Sequence, residues 1–256
     1  MGKERPERVE VLERGDIFFI YRPEVEETSP EGLGDVQRFY MALRPEGDKT
    51  IRLIAIGRKK LPEIKDGSRR YWGFVSKVAR QPDELKEELA GKTYQTKTRG
   101  ARHQPPARPA GEGVYAVVRH GDHTHLAYVL ELPEEPGAVQ EAFHIEPEAS
   151  YILSIKNPEK PSPPQAGLPE GQEAKFPKKL MERFRERKFV AADPPEFLDY
   201  EGAEILLIGA EEDVSEELGI RLDAQREDED SAEVFGDLRM KRSQQMIKPL
   251  IEGRWE

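Results

Sequence analysis

The chain has no cysteine among its 256 residues. A disulfide framework, a thiolate metal site and a cysteine nucleophile are therefore all excluded. Long apolar runs are missing too. The longest, 17–21 and 205–208, are far too short for a helix that spans a bilayer. The opening residues are charged, so no signal peptide is expected, and Pro6 stands where a myristoylation motif after Gly2 wants Ser or Thr. Cytoplasm is the expected location, with no membrane partner. Catalytic signatures are absent as well: there is no Gly-x-Ser-x-Gly, no Walker loop and no His-Glu-x-x-His.

Apolar residues make up only 36% of the chain and charged residues 35%. At this length that share still suffices for a core, because the buried fraction rises with size. Charge is unevenly spread. Residues 1–110 carry a balance of +5, whereas 111–256 carry −15. An acidic whole works against general nucleic-acid binding, since each phosphate is approached against the net field. A local basic face on the first half remains open to an anionic partner.

β-branched and aromatic alternation predicts strands over 16–21, 38–43 and 51–56, with a segment of undecided type over 71–78. A helix over 83–90 follows Pro82 and stops at Gly91, and 92–98 alternates like an edge strand. Further strands are expected over 114–118, 125–132, 151–155 and 204–209, with helical pieces over 137–143 and 177–187. The two halves share a rhythm of strands ending in Pro-Glu, at Pro45-Glu46 and Pro133-Glu134 and again at Pro62-Glu63 and Pro158-Glu159. The expected fold class is α+β, with two related subdomains. Each would be a mainly antiparallel sheet with one or two helices packed on it, followed by an acidic C-terminal tail. The boundaries are a first unit over 1–98, a Pro/Gly/Arg-rich linker over 99–111, a second unit over 112–210, and a tail over 211–256. Within that tail the run 226–230 reads as solvated, and 246–255 as apolar enough to dock on the protein's own core.

Two features could carry chemistry. A tight Gly121-Asp122 turn would pair His120 with His123 and Val118 with His125, placing three imidazoles on one face of a ribbon with Asp122 at its tip. Two histidines at i and i+2 plus one across the strand suit zinc or iron, with a position left for water. His120, His123, His125 and Asp122 are thus candidate metal ligands, for a metal-dependent enzyme of hydrolase type. The plainer alternative is a solvated hairpin tip.

The second feature is basic. No acid occurs over 90–111, while Lys92, Lys97, Arg99, Arg102 and Arg108 accompany Tyr94. Arg58, Lys59 and Lys60 add charge, as do Lys65, Arg69 and Arg70 beside Tyr71 and Trp72. Phosphate contacts next to stacking platforms are what single-stranded RNA binding requires. The plainer alternative is a solvated linker. The leading expectation is a non-enzymatic binding or regulatory module that contacts RNA or an acidic protein through its basic first half and linker. A structural subunit docking through its tail and Trp255 is a third expectation.

Overall fold

The computed structural model describes residues 9–64, 69–163, 166–211, 213–222, 224, 227, 231–240 and 244–255. Among them the strands are β1 (Val9–Pro23), β2 (Val36–Pro45), β3 (Ile51–Ile56), β4 (Arg70–Ala79), β5 (Lys92–Thr96), β6 (Gly100–Gln104), β7 (Arg108–His120), β8 (His123–Leu132), β9 (Glu148–Lys156), β10 (Phe189–Ala191) and β11 (Glu204–Gly209). The helices are α1 (Pro82–Leu89), α2 (Ala138–Phe143), α3 (Lys178–Phe184), α4 (Val214–Leu218), α5 (Val234–Asp237) and α6 (Gln244–Ile251). No helix among the described residues is long and apolar enough to cross a membrane.

Eight strands close into one antiparallel barrel, in the order β1, β2, β3, β4, β11, β9, β8, β7 and back to β1. This overturns the expectation of two related sheet-and-helix subdomains. β1 pairs with β7 from Val9↔His120 to Tyr21↔Arg108, and β4 pairs with β11 from Phe74↔Glu204 to Arg70↔Ile208. Strands of both halves thus share one sheet and one interior. Closure gives each of the eight barrel strands a partner on both sides, which two separate sheets would not do. The 99–111 stretch, expected as a linker, forms β6 and the start of β7.

Alternation sorts the side chains. Ile17, Phe19 and Tyr21 of β1 point inward with Phe39 and Met41 of β2, Tyr115 and Val117 of β7 and Tyr128 of β8. An eight-stranded barrel is about wide enough for side chains alone to fill it, and aromatic rings do so here. Phe39 stacks on Phe143 of α2 at 4.6 Å, and Phe19 meets Tyr128 edge-on at 5.1 Å. α2 closes that end together with Trp255, whose ring lies 5.6 Å from both Tyr21 and Phe143. The docking segment of the tail therefore serves the protein's own core.

The outward residues Phe18, Ile20, Tyr40, Ala42 and Leu53 are buried as well, under Leu85 and Leu89 of α1 and under Val234, Leu238 and Leu250 of the tail. Ala116, Val118 and Ala127 lie under Val214, Leu218 and Leu222. A strand covered on both faces reads as a near-continuous apolar run, which is why 17–21 is wholly apolar and 51–56 is broken only by Arg52. Of the run 226–230, only Glu227 lies among the described residues, and it is hydrogen-bonded to the buried Glu112.

Two glycines permit the curvature. A Cβ at Gly15 would lie 2.0 Å from the Arg44 carbonyl oxygen, and one at Gly113 would lie 2.1 Å from that of Val129. Only a residue without a side chain lets the neighbouring backbones approach so closely.

Candidate functional site

β5 and β6 form a two-stranded ribbon separate from the barrel sheet. Its register runs from Lys92↔Gln104 through Tyr94↔Arg102 to Thr96↔Gly100. The sequence builds the tip from a local hydrogen-bond set. The Thr96 hydroxyl donates to the Gly100 carbonyl and accepts from the Arg99 N–H, both at 3.0 Å. Gly100 takes φ +69°, the left-handed geometry that such a short reversal requires. The residues held at the bend, Lys97 and Arg99, are exposed, as is Lys92. Tyr94 is 39% exposed, the one large apolar side chain so displayed among the described residues.

The base of the ribbon is anchored by Glu26. Its N–H donates to the His103 carbonyl at 2.8 Å, its carboxylate accepts the His103 N–H at 2.6 Å, and the same carboxylate pairs with Arg102 at 3.1 Å. Gln104 is buried and donates to the Pro23 carbonyl at 2.8 Å. The arm is thus fixed at its root and cationic at its tip.

Other basic candidates are placed elsewhere. Arg108 is buried inside the start of β7 and donates to the Thr28 carbonyl at 2.7 Å, so it offers no surface charge. Lys59 pairs with Glu24 at 3.5 Å and also donates to the Val36 carbonyl. Lys60 contacts His144 Nε2 at 3.1 Å, while Nδ1 of that ring faces the Leu61 carbonyl at 3.1 Å. The second contact assigns the ring proton to Nδ1 and leaves Nε2 to accept from the ammonium. Burial first, and then Lys60, lower the His144 pKa, in keeping with a neutral ring. Arg58 lies over the Tyr71 ring at 5.1 Å and remains exposed. Lys65 falls outside the described residues.

The histidine hairpin has the expected turn and pairing. His120 opposes His123, Val118 opposes His125, and Gly121 adopts φ +62°. The rings of His120 and His125 lie 5.8 Å apart, and His123 Nδ1 is 2.6 Å from the Asp122 carboxylate. Burial, followed by the charges of His120 and His123, pushes the His125 pKa down to about 4. The three rings nevertheless do not converge. Among the described residues, the only group of three or more His, Cys, Asp or Glu whose ligand atoms lie within 4.8 Å of one another is Asp16, Glu233 and Asp237.

That acidic trio joins β1 to α5 and its flank, beside a cleft of about 550 Å³ lined in part by Arg14, Asp16, Arg44 and Leu222. It could hold a divalent ion. Three carboxylates favour a hard cation such as Mg²⁺, Ca²⁺ or Mn²⁺ over the zinc or iron expected at the histidines. A cation already bridges it: Arg44 reaches Asp16 at 2.6 Å, Glu233 at 3.1 Å and Asp237 at 2.6 Å. Burial raises the pKa values of both Glu233 and Asp237, with Asp16 adding to the effect, even though Arg44 opposes it. One guanidinium therefore undercompensates three acids. No signal in the sequence places 233 and 237 beside 16, because only the folded tail brings them together.

No family model, no curated protein and no solved structure matches the chain.

Proposed function

We propose that the protein is a non-enzymatic module that binds single-stranded RNA through the β5–β6 ribbon. The observation that carries this reading is the tip. Lys92, Lys97 and Arg99 project from an anchored arm that also displays Tyr94 opposite Arg102. Cations along a strand contribute phosphate contacts, and an exposed tyrosine supplies a sequence-tolerant platform for a base, worth about 1–3 kcal/mol. A net charge of −10 works against phosphate contact over the surface at large, so binding depends on local cationic features such as this arm. The displayed aromatic favours RNA over an acidic protein, which would need the cations and not the ring.

Fluorescence anisotropy with a labelled single-stranded RNA of about ten nucleotides tests the reading. Lys97→Glu/Arg99→Glu should weaken binding by at least about tenfold, and Tyr94→Ala by roughly five- to a hundredfold. Binding that survives both variants, or that an acidic peptide shares while RNA does not, would contradict it. All three positions are exposed, so the fold should tolerate the changes.

A further inference from the structure

On the outer face of the barrel, away from the residues of the ribbon, β4 and the turn that follows β3 border a cleft of about 520 Å³. Its wall includes Arg58, Arg70, Trp72 and Phe74, with Pro163 and Gly167 of the Pro-rich segment opposite. The strand geometry accounts for the lining. Tyr71 and Val75 are inward and buried, so alternation turns Arg70, Trp72 and Phe74 outward. Gly57, whose N–H donates to the Trp72 carbonyl at 2.8 Å, adds no side chain to the lining.

We infer that this cleft binds one nucleotide unit, with a planar base against Trp72 and Phe74 and a phosphate between Arg58 and Arg70. Three observations support that assignment. The Trp72 ring is held edge-on against Phe189 at 5.8 Å and remains half-buried, so it is a fixed platform that is still accessible. Arg58 is positioned by the Tyr71 ring beneath it. Both arginines are exposed, and among the described residues neither engages a carboxylate, so their charge is available for an anion. Two guanidiniums next to indole and phenyl faces match a phosphate joined to an aromatic ring. An aliphatic carboxylate would leave the aromatic face unused, and a plain hydrophobe would leave the arginines unmatched. The site rests on its own geometry and does not require the ribbon to bind RNA.

The chain has two tryptophans, and Trp255 belongs to the core. Trp255→Phe therefore leaves Trp72 as the only tryptophan, so its emission reports the cleft directly. Adenosine monophosphate, adenosine and a single-stranded RNA are titrated separately against this variant. Saturable quenching by the mononucleotide, at least about tenfold tighter than by adenosine, is the expected result for a free nucleotide. Quenching by RNA alone would identify the unit as part of a strand, and would uphold the inference provided it is lost in Arg58→Ala/Arg70→Ala. The Lys97→Glu/Arg99→Glu ribbon variant should retain the quench, which separates failure of this site from failure of the ribbon. No saturable quench by any of the three, equal response to adenosine and its monophosphate, or indifference to loss of both arginines would overturn the inference. Should Trp255→Phe unfold the chain, calorimetric titration of the native protein against its Arg58→Ala/Arg70→Ala form gives the same decision.

Discussion

Arg52 and Glu13 meet at one end of the barrel through a two-pronged pair, Nη1 to Oε1 at 2.6 Å and Nη2 to Oε2 at 3.0 Å. The Tyr115 hydroxyl donates to the same carboxylate at 2.8 Å, and Arg52 Nε donates to Asp199 at 2.7 Å. Arg52 is 3% exposed. Burial works against its charge, yet the hydrogen bond and field of Glu13 hold it firmly protonated. Removing one partner strands a buried charge, so Arg52→Met should cost about 3–5 kcal/mol. The double variant Arg52→Met/Glu13→Leu should cost clearly less than the sum of the two single changes. Urea unfolding of the four proteins checks this, and simple additivity would show that the pair is not coupled.

Glu112 ties the tail to the barrel. Its carboxyl accepts from the Glu233 and Val234 N–H groups at 3.1 and 3.0 Å and shares a hydrogen bond with Glu227. Burial foremost, and then Glu227, hold its pKa well above the usual carboxylate range. The folded state therefore keeps a proton that the unfolded chain releases above about pH 4.5. Stability from this group is full below that pH and is lost as pH rises toward the folded pKa. Glu112→Gln imitates the protonated form. It keeps one acceptor oxygen for the two N–H groups, so some stability is given up at every pH, but its stability curve between pH 5 and 8 should be flatter than that of the native chain. A Glu112→Gln protein that loses stability as pH rises just as steeply as the native one would refute this.

His125 has the opposite sign of dependence on pH. Its folded pKa of about 4 lies below the ordinary value of 6.5, so below pH 6.5 the unfolded chain binds a proton that the folded one does not. Its contribution is fully present above pH 6.5 and declines as pH falls toward 4, by about 3 kcal/mol at most. Burial is the main cause of the lowered value, and His120 and His123, which face the ring, add to it. His125→Asn should flatten acid destabilisation between pH 6.5 and 4 relative to the native chain. Parallel curves for the two proteins would contradict it.

Arg44 and the acidic trio give a metal-sensitive test. Arg44→Gln leaves Asp16, Glu233 and Asp237 without their cation and should cost about 1–2 kcal/mol. Millimolar Ca²⁺ should restore part of that loss in the variant while barely shifting the native melting temperature, because the guanidinium competes for the same space. An equal Ca²⁺ response in both proteins would mean that Arg44 does not occupy the cation position.

The local elements were largely legible in the sequence, and their partners were not. β3 and β11 have the bounds expected from the sequence, 51–56 and 204–209, since turn-forming or polar residues mark their ends. The Gly121-Asp122 hairpin and its register follow from turn chemistry alone. Pro105, Pro106 and Pro109 made 99–111 resemble a linker. In the fold, Pro109 lies in β7 opposite Ile20, beside an irregularity between Phe19 and Ile20, where a missing N–H is tolerated. The barrel itself was hidden because alternation encodes which face a residue takes and not which strand it meets. The β1–β7 and β4–β11 pairings join residues about a hundred or more positions apart. For the candidate sites, charge composition identified Lys92, Lys97 and Arg99 correctly as surface cations. It could not separate them from Arg108, whose guanidinium the fold consumes internally.

The central claim is that three cations at the ribbon meet phosphates. Its most direct test is the salt dependence of RNA affinity. Each phosphate neutralised on a single strand contributes a slope of about −0.7 in log K against log salt, so Lys92, Lys97 and Arg99 together should give about −2. Lys97→Ala/Arg99→Ala should reduce the slope to about −0.7. A slope near zero in the native protein, or one that the double substitution leaves unchanged, would contradict the account.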